Sequence, residues 1–272
     1  TNSQWESFGR KVISGTSKLN TFGNCDETFL DRFLKIAWNT EYLACENQLN
    51  DVHIIRINNQ WKPIQLYYAI YSAGEALSYL VDGNKANSHK KCLRKLSEFS
   101  VKQSFPPWNF AYKGCRGKSR NDHYSINFPP DLILPHNLRR YGIQPVQMIA
   151  KCLKAEHSHR IDDDFQKQKG KYKYNFDPGY TTILHFIYRL RIKSNYREAD
   201  IFLTEAPDNL IKEFSENLSD LCFWTLLLFE IYIIKRSGKR SFLSIFNNYI
   251  KINKNAEKLK ARVNFYGRHL LK

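Results

Sequence analysis

A basic segment near the middle of the chain carries residues suited to contacting a phosphate backbone. Residues 113–123 read KGCRGKSRNDH, in which four cations fall within eight positions and two glycines separate them. Lysine and arginine neutralise phosphates, and glycine lets the chain follow a backbone without one rigid register. We therefore expect nucleic-acid contacts from Lys113, Arg116, Lys118 and Arg120.

The sequence shows no common metal-dependent site. None of the 26 acidic residues is followed two positions later by lysine, which argues against restriction-type metal nucleases, and neither GxSxG nor HExxH occurs. The stretch GCRGKS at 114–119 is two residues short of a phosphate-binding loop. His157, His159 and the three aspartates at 162–164 could ligate a divalent ion, but such a local run is typical of a solvated turn. We expect no metal and no cofactor.

Charge and composition favour a folded, intracellular protein that acts on nucleic acid. The 272 residues include 42 Lys and Arg against 26 Asp and Glu, a formal net charge of +16, and 42% are hydrophobic. A field of this sign attracts phosphate backbones. The six cysteines lack CxxC spacing, which fits a reducing compartment, and the longest apolar stretch, 221–234, is too short to cross a bilayer. We expect a cytoplasmic location and no membrane partner.

Apolar residues recur at helical spacing along most of the chain, which predicts a mainly α fold, a multi-helix bundle. Residues 1–24, rich in Ser, Thr, Asn and Gly, are predicted to form a flexible N-terminal arm before a single domain over 25–272. Five prolines predict a long irregular insertion at about 105–143. Alternating apolar residues predict a short β-hairpin at about 171–192.

Helix boundaries follow from the same periodicity and from local stop and start residues. Pro63 suits a first helical turn, Gly83 suits a helix end, and Ser88 suits an N-cap. The predicted helices span about 27–49, 63–82, 88–102, 146–155, 208–216, 218–236, 240–252 and 255–271.

The segment Leu66–Leu93 reads LYYAIYSAGEALSYLVDGNKANSHKKCL. Its Tyr-Tyr, Tyr, Ala and Ala-Leu positions lie on one predicted helix, and a turn and a Ser-His start follow. In this pattern, the stretch 61–104 resembles the HEPN-like helical superfamily, which includes the YaaC-like proteins. The resemblance implies a HEPN-like helical domain.

Many members of that superfamily are metal-independent RNA endonucleases whose signature is an arginine and a histidine four to six residues apart. Two pairs here have six intervening residues: Arg262 with His269, and Arg116 with His123. The resemblance implies that the RNA 2′-hydroxyl attacks phosphorus while histidine moves protons and arginine stabilises the developing charge. Arg262 and His269 are the first choice, because two residues seven apart on a helix share a face.

These features together predict a protein that acts on nucleic acid, with RNA favoured over DNA, either as a metal-independent RNA endonuclease or as an RNA-binding effector. A role in prokaryotic antiviral defence or a toxin-like system is implied by the resemblance alone. Two alternatives stay open: a non-catalytic nucleic-acid-binding subunit of a larger complex, and a structural protein-interaction module. A homo-oligomer or a partner subunit is compatible with each reading.

Overall fold

The mainly α fold is confirmed in the part of the chain that the computed structural model describes. These residues are 2–17, 19–23, 25–45, 51–86, 88–103, 108–115, 123–127, 152–161, 179–195, 206–254 and 256–271. The helices are α1 Asn2–Gly15, α2 Glu27–Cys45, α3 Val52–Asp82, α4 His89–Gln103, α5 at 152–161, α6 Ile183–Asn195, α7 Asp208–Ser237, α8 Lys239–Ile252 and α9 Glu257–His269. The strands are β1 Ala111–Cys115, β2 His123–Asn127 and β3 Thr181–Thr182.

The chain groups into two compact units. The first unit comprises residues 1–92 and 190–272, and the second comprises 93–189. The first unit contains α1, α2, α3, α7, α8 and α9, and the second contains the sheet and α5. The single domain expected over 25–272 stays a prediction.

Helices α3 and α7 form the centre of the first unit and run side by side in the same direction. Polar contacts join them in register, from Arg56 with Asp208 to Lys62 with Ser215. The core of the unit lies along α7, where every residue from Thr225 to Ile234 is buried. The long apolar run predicted from the sequence is therefore the central helix of this unit.

Two predicted helix boundaries are wrong because tertiary contacts override local signals. Helix α3 begins at Val52 rather than Pro63, and Pro63 lies inside it. The turn before the proline is tied to α7, where the Asn59 amide donates to the carbonyl of Ile211 over 2.9 Å. The break expected near residue 217 is absent, because Asp208–Ser237 is one helix of 30 residues packed along α3.

Helix α7 is also the one helix in the described ranges that is long and apolar enough to cross a membrane. In its most apolar window, 72% of the residues are buried inside the protein. A core helix and a membrane-spanning helix share this composition, and the burial favours the former.

Residues Asn2–Gly15, predicted as a flexible arm, form helix α1. Its aromatic residues dock on the first unit: the Trp5 ring lies 5.4 Å from Phe223 and 5.3 Å from Phe265. Gly9 allows this approach, since a Cβ atom there would lie 2.5 Å from the Phe265 ring. The polar composition of the segment concealed an amphipathic face.

The sheet lies in the second unit, and its position corrects the predicted hairpin. The strand order is β2-β1-β3, with both pairs antiparallel, and Ala111 pairs with Asn127 and with Thr182. The hairpin of β1 and β2 therefore falls inside the expected irregular insertion. Ile183–Asn195 is helical instead of extended, and residues 171–178 lie outside the described part. Its buried positions Leu184, Ile187 and Ser194 follow helical spacing, which the apolar alternation had masked.

Candidate functional site

Arg262, the first catalytic arginine expected from the sequence, lies in the core of the first unit with no exposed surface. Its two terminal nitrogens donate to the Glu41 carboxylate over 2.6 and 2.7 Å, and its Nε donates to Glu230 over 2.9 Å. Glu230 also accepts from the Trp38 indole over 2.9 Å and from the Tyr266 hydroxyl over 2.7 Å. These contacts join α2, α7 and α9 into one ionic cluster.

The ionic cluster fixes Arg262 in its charged form. Burial by itself lowers the pKa of the guanidinium, but the two carboxylates outweigh it and raise the pKa well above the ordinary value. A buried arginine with this many charge-assisted bonds is held by α2 and α7. In this arrangement the guanidinium cannot reach a phosphate in solvent.

His269 lies at the surface of the first unit, at the end of α9. Its ring packs on Phe265 with centroids 4.8 Å apart. Arg262 and His269 are thus on the same helix, but one belongs to the core and the other to the surface. The structure does not bring the two side chains together at one solvent-facing site.

The second expected pair and most of the basic segment fall outside the described residues. Arg116, Lys118 and Arg120 are not described, and His123 is described as the first residue of β2, opposite Cys115. Lys113 is half-buried on β1, and its Nζ lies 5.1 Å from the centre of the Tyr180 ring. The phosphate contacts proposed for these residues stay predictions.

The acidic and histidine run after α5 is only partly described. His157 is buried, with its Nδ1 2.8 Å from the Thr181 hydroxyl, whereas His159 is exposed. Residues 162–164 lie outside the described part. Across the described ranges, no group of three or more His, Cys, Asp and Glu side chains is arranged to hold a metal ion.

A half-exposed cluster of tyrosine and histidine lies in the first unit where the start of α4 meets α3. The hydroxyl of Tyr67 is 2.7 Å from Nδ1 of His89, and the ring of Tyr71 lies 4.1 Å from the His89 ring at an angle of 33°. Tyr68 meets His89 at 6.0 Å, edge to face. The Tyr71 hydroxyl donates to the carboxylate of Glu75, one turn along α3. Residues 67, 71 and 75 share one stripe of α3.

Arg191, near the end of α6 and within the first unit, completes this cluster. Its guanidinium carbon lies 5.3 Å from the centre of the Tyr67 ring and 5.2 Å from that of Tyr68, and Nη2 donates to the Tyr68 hydroxyl over 3.2 Å. Cation–π contacts of this kind hold a guanidinium at a partly exposed surface. We call the five residues Tyr67, Tyr68, Tyr71, His89 and Arg191 the Tyr–His–Arg site.

The electrostatics of the site favour a neutral histidine. Burial and then the charge of Arg191 lower the pKa of His89 below its ordinary value of 6.5. Burial and the Glu75 carboxylate raise the pKa of Tyr71, so its phenol keeps its proton. At neutral pH the site therefore presents an uncharged imidazole, able to accept a proton, beside a fixed cation.

The first turn of α4 adds positive charge next to His89. Ser88 caps the helix, its hydroxyl accepting from the backbone N–H of Lys91 over 3.3 Å. Helix N-termini usually carry acidic residues, but this turn holds none and instead has the exposed Lys90 and Lys91. Cations at the positive end of a helix attract anions to that end.

The sequence contains an indirect signal for His89 and none for Arg191. His89 is the histidine of the Ser-His start in the segment that resembles the HEPN-like families, but it belongs to neither of the two predicted arginine–histidine pairs. Arg191 and Tyr68 are 123 residues apart, so only the fold shows that they meet.

Comparisons with known proteins do not place the chain in a family. No protein-family model, no curated protein and no solved structure matches it. The HEPN-like resemblance therefore stays an expectation that rests on the residues at 61–104.

Proposed function

We propose that this protein binds RNA and cleaves it without a metal ion at the Tyr–His–Arg site. The observation that carries the proposal is the placement of His89 between Tyr67 and Tyr71 at a partly exposed surface, next to the guanidinium of Arg191. An imidazole can supply the base, and a guanidinium the charge stabilisation, for transesterification by a 2′-hydroxyl.

In this reaction, His89 accepts the proton of the 2′-hydroxyl as its oxygen bonds to the adjacent phosphorus. Arg191 stabilises the negative charge that develops on the phosphorane oxygens. The bond from phosphorus to the 5′-oxygen then breaks, that oxygen takes a proton from water as it leaves, and His89 returns its proton to the solvent. The products are a 2′,3′-cyclic phosphate and a 5′-hydroxyl end, so neither an oxidant nor a second substrate is needed.

Charge supports RNA as the substrate class. The formal net charge is +16, and Lys90 and Lys91 lie exposed beside His89. Cations that contact phosphates release counterions, which gives salt-sensitive binding to any nucleic acid. The need for a 2′-hydroxyl then limits cleavage to RNA.

The test is incubation of the full chain with end-labelled single-stranded RNA, tRNA and duplex DNA, each with and without EDTA. We expect cleavage of RNA alone, unchanged by the chelator, with a cyclic phosphate on the 5′ fragment. A matched RNA with 2′-deoxy sugar at the cleaved position should stay intact. Loss of activity in EDTA, or cleavage of the deoxy substrate, would contradict the mechanism.

A non-catalytic nucleic-acid-binding subunit is the second candidate. The exposed lysines of α4 support binding whether or not His89 transfers protons. Salt-sensitive binding of RNA without cleavage under any condition would favour this reading. The defence or toxin-like setting rests on the resemblance alone under both candidates.

An interaction module is the third candidate, and exposed apolar residues favour it. On α3, the Ile57 and Trp61 side chains are 45% and 55% exposed, and they lie one turn apart on the same face. Capture of a protein partner through this face, with no affinity for RNA, would favour the module over both nucleic-acid readings.

A further inference from the structure

We infer that Tyr67 is a positioning residue that accepts a hydrogen bond from Nδ1–H of His89, so that proton transfer at the site passes through Nε2. The role in cleavage rests on the proposed function. The hydrogen bond and the tautomer it selects are properties of the chain alone and can be measured without a substrate.

The position of Tyr67 suits this role. Its side chain is only 2% exposed, and its hydroxyl lies 2.7 Å from Nδ1, a distance typical of a strong hydrogen bond. A phenol can donate or accept, and an imidazole nitrogen can do either according to its tautomer. The direction of this contact therefore specifies whether Nδ1 carries the proton in the neutral ring.

The other contacts hold the His89 ring in place, so the direction of its hydrogen bond with Tyr67 has a chemical consequence. Tyr71 packs against the face of His89, and its own hydroxyl is held by Glu75. The backbone of α4 is fixed at the same point, because Cys92 N–H donates to the carbonyl of Ser88 over 3.0 Å. His89 is thus faced from α3 by three tyrosines and from α6 by Arg191.

The two directions of the hydrogen bond between Tyr67 and His89 differ in whether Nε2 can act as a base. If the Tyr67 hydroxyl donated to Nδ1, the neutral ring would carry its proton on Nε2 and would have no lone pair left for a 2′-hydroxyl. If Nδ1–H donates to the Tyr67 oxygen, Nε2 presents its lone pair, and the imidazolium formed after proton transfer keeps the same bond. The second arrangement is the one that supports a general base.

The two directions also predict opposite effects of deleting the hydroxyl. An acceptor for Nδ1–H stabilises the imidazolium more than the neutral ring, so its loss in Tyr67→Phe lowers the pKa of His89 further. A donor to Nδ1 stabilises the neutral ring, so its loss would raise the pKa. The sign of the change therefore tests the inference directly.

The experiment is a pH titration of the full chain with ¹⁵N-labelled histidine, followed by long-range ¹H–¹⁵N correlation of the His89 ring. We expect Nδ1 to be the protonated nitrogen in the neutral ring of the wild type. We expect Tyr67→Phe to lower the pKa of His89 and to increase the Nε2–H tautomer. Tyr79→Phe is the matched control, because it removes a buried hydroxyl of α3 that is bonded to Asp26 N–H instead, and it should leave the His89 signals unchanged.

Cleavage rates measured on the same proteins separate this inference from the proposed function. We expect Tyr67→Phe to slow RNA cleavage by about tenfold or more, which is a part of the about 10²–10⁴-fold that a positioned acid–base group supplies. We also expect it to move the acid limb of the pH profile to lower pH. An Nε2–H tautomer in the wild type, or a raised pKa in Tyr67→Phe, would overturn the inference. The predicted nitrogen signals with no cleavage by any variant would support the positioning contact and overturn the proposed function.

Discussion

The guanidinium of Arg262 meets the carboxylate of Glu41 side on, with two nitrogen–oxygen distances of 2.6 and 2.7 Å. The two residues are 221 positions apart, and neither has appreciable exposed surface. This contact places an arginine with a catalytic sequence spacing in a structural role, and it has a direct consequence for stability.

Arg262→Gln should destabilise the protein strongly, because it leaves Glu41 and Glu230 buried without a cation. Removal of one partner from a buried ion pair typically costs about 3–5 kcal/mol. Urea unfolding followed by circular dichroism measures the change. Arg268→Gln is the matched control on the same helix, since the Arg268 pair with Glu6 is exposed and should contribute under about 1 kcal/mol. Unchanged unfolding of Arg262→Gln would contradict the structural role.

Gly9→Ala should destabilise the docking of α1. The new methyl group would lie 2.5 Å from the Phe265 ring, which is fully buried and packed on Trp5, so the ring has little room to move. Overpacking of this kind costs about 1–3 kcal/mol. Gly267→Ala is the control, because a methyl there meets nothing within 4 Å and should stabilise α9 by up to about 1 kcal/mol. Equal thermal midpoints for the two variants would argue against the close contact.

The sequence predicted the helices that are defined by local contacts and missed the boundaries that depend on contacts between distant residues. Periodicity placed α8 at 240–252, within a residue of its observed start, because one amphipathic face suffices to define it. The same method failed at α6, where apolar residues on several sides imitate a strand. The start of α3 was missed because Asn59 and Lys62 are held by a helix some 150 residues away.

The candidate site was less predictable than the fold. The sequence spacing of Arg262 and His269 is the same whether the Arg262 side chain points to solvent or to the core. The ion pairs with Glu41 and Glu230 hold this side chain in the core. His89 was visible as part of a family-like segment. Its neighbour Arg191 joins the site only through the fold, because it contacts Tyr68 across 123 residues of the chain.

Acidification should destabilise the second unit through His185. Burial, followed by the charges of Arg160 and His157, lowers the pKa of this histidine well below 6.5. Its Nδ1 accepts from the Thr182 N–H at the start of α6 over 3.3 Å, a bond that a protonated Nδ1 cannot accept.

Proton linkage gives the direction in which stability changes with pH. Between the lowered pKa and 6.5, the unfolded chain binds a proton that the folded chain does not, so stability is fully present above pH 6.5 and falls by about 1.4 kcal/mol per pH unit below it. Urea midpoints measured from about pH 7.5 to about pH 5 should therefore fall less steeply in His185→Gln than in the wild type. His159→Gln, which alters an exposed histidine, should keep the wild-type slope. Parallel slopes for all three proteins would contradict the assignment.

The basic segment should contribute to the salt dependence of RNA binding. Each phosphate contact contributes a slope of about 0.7 in log affinity against log salt for single strands, so loss of four contacts should flatten the slope by about 3. In the variant, glutamine replaces the four cations Lys113, Arg116, Lys118 and Arg120. The control replaces four exposed cations of the first unit, Arg10, Lys11, Lys251 and Lys254. An unchanged slope in the first variant would show that these residues do not contact phosphate.

Cleavage of labelled single-stranded RNA in EDTA shows whether His89, and not His269, is the group that transfers protons. Wild type, His89→Gln and His269→Gln are compared at equal concentration after circular dichroism confirms that each is folded. We expect His89→Gln to lower the rate by about 10²–10⁴-fold, because a general base is lost, while RNA binding persists. We expect His269→Gln to cleave like the wild type. Full activity in His89→Gln together with loss of activity in His269→Gln would contradict this expectation.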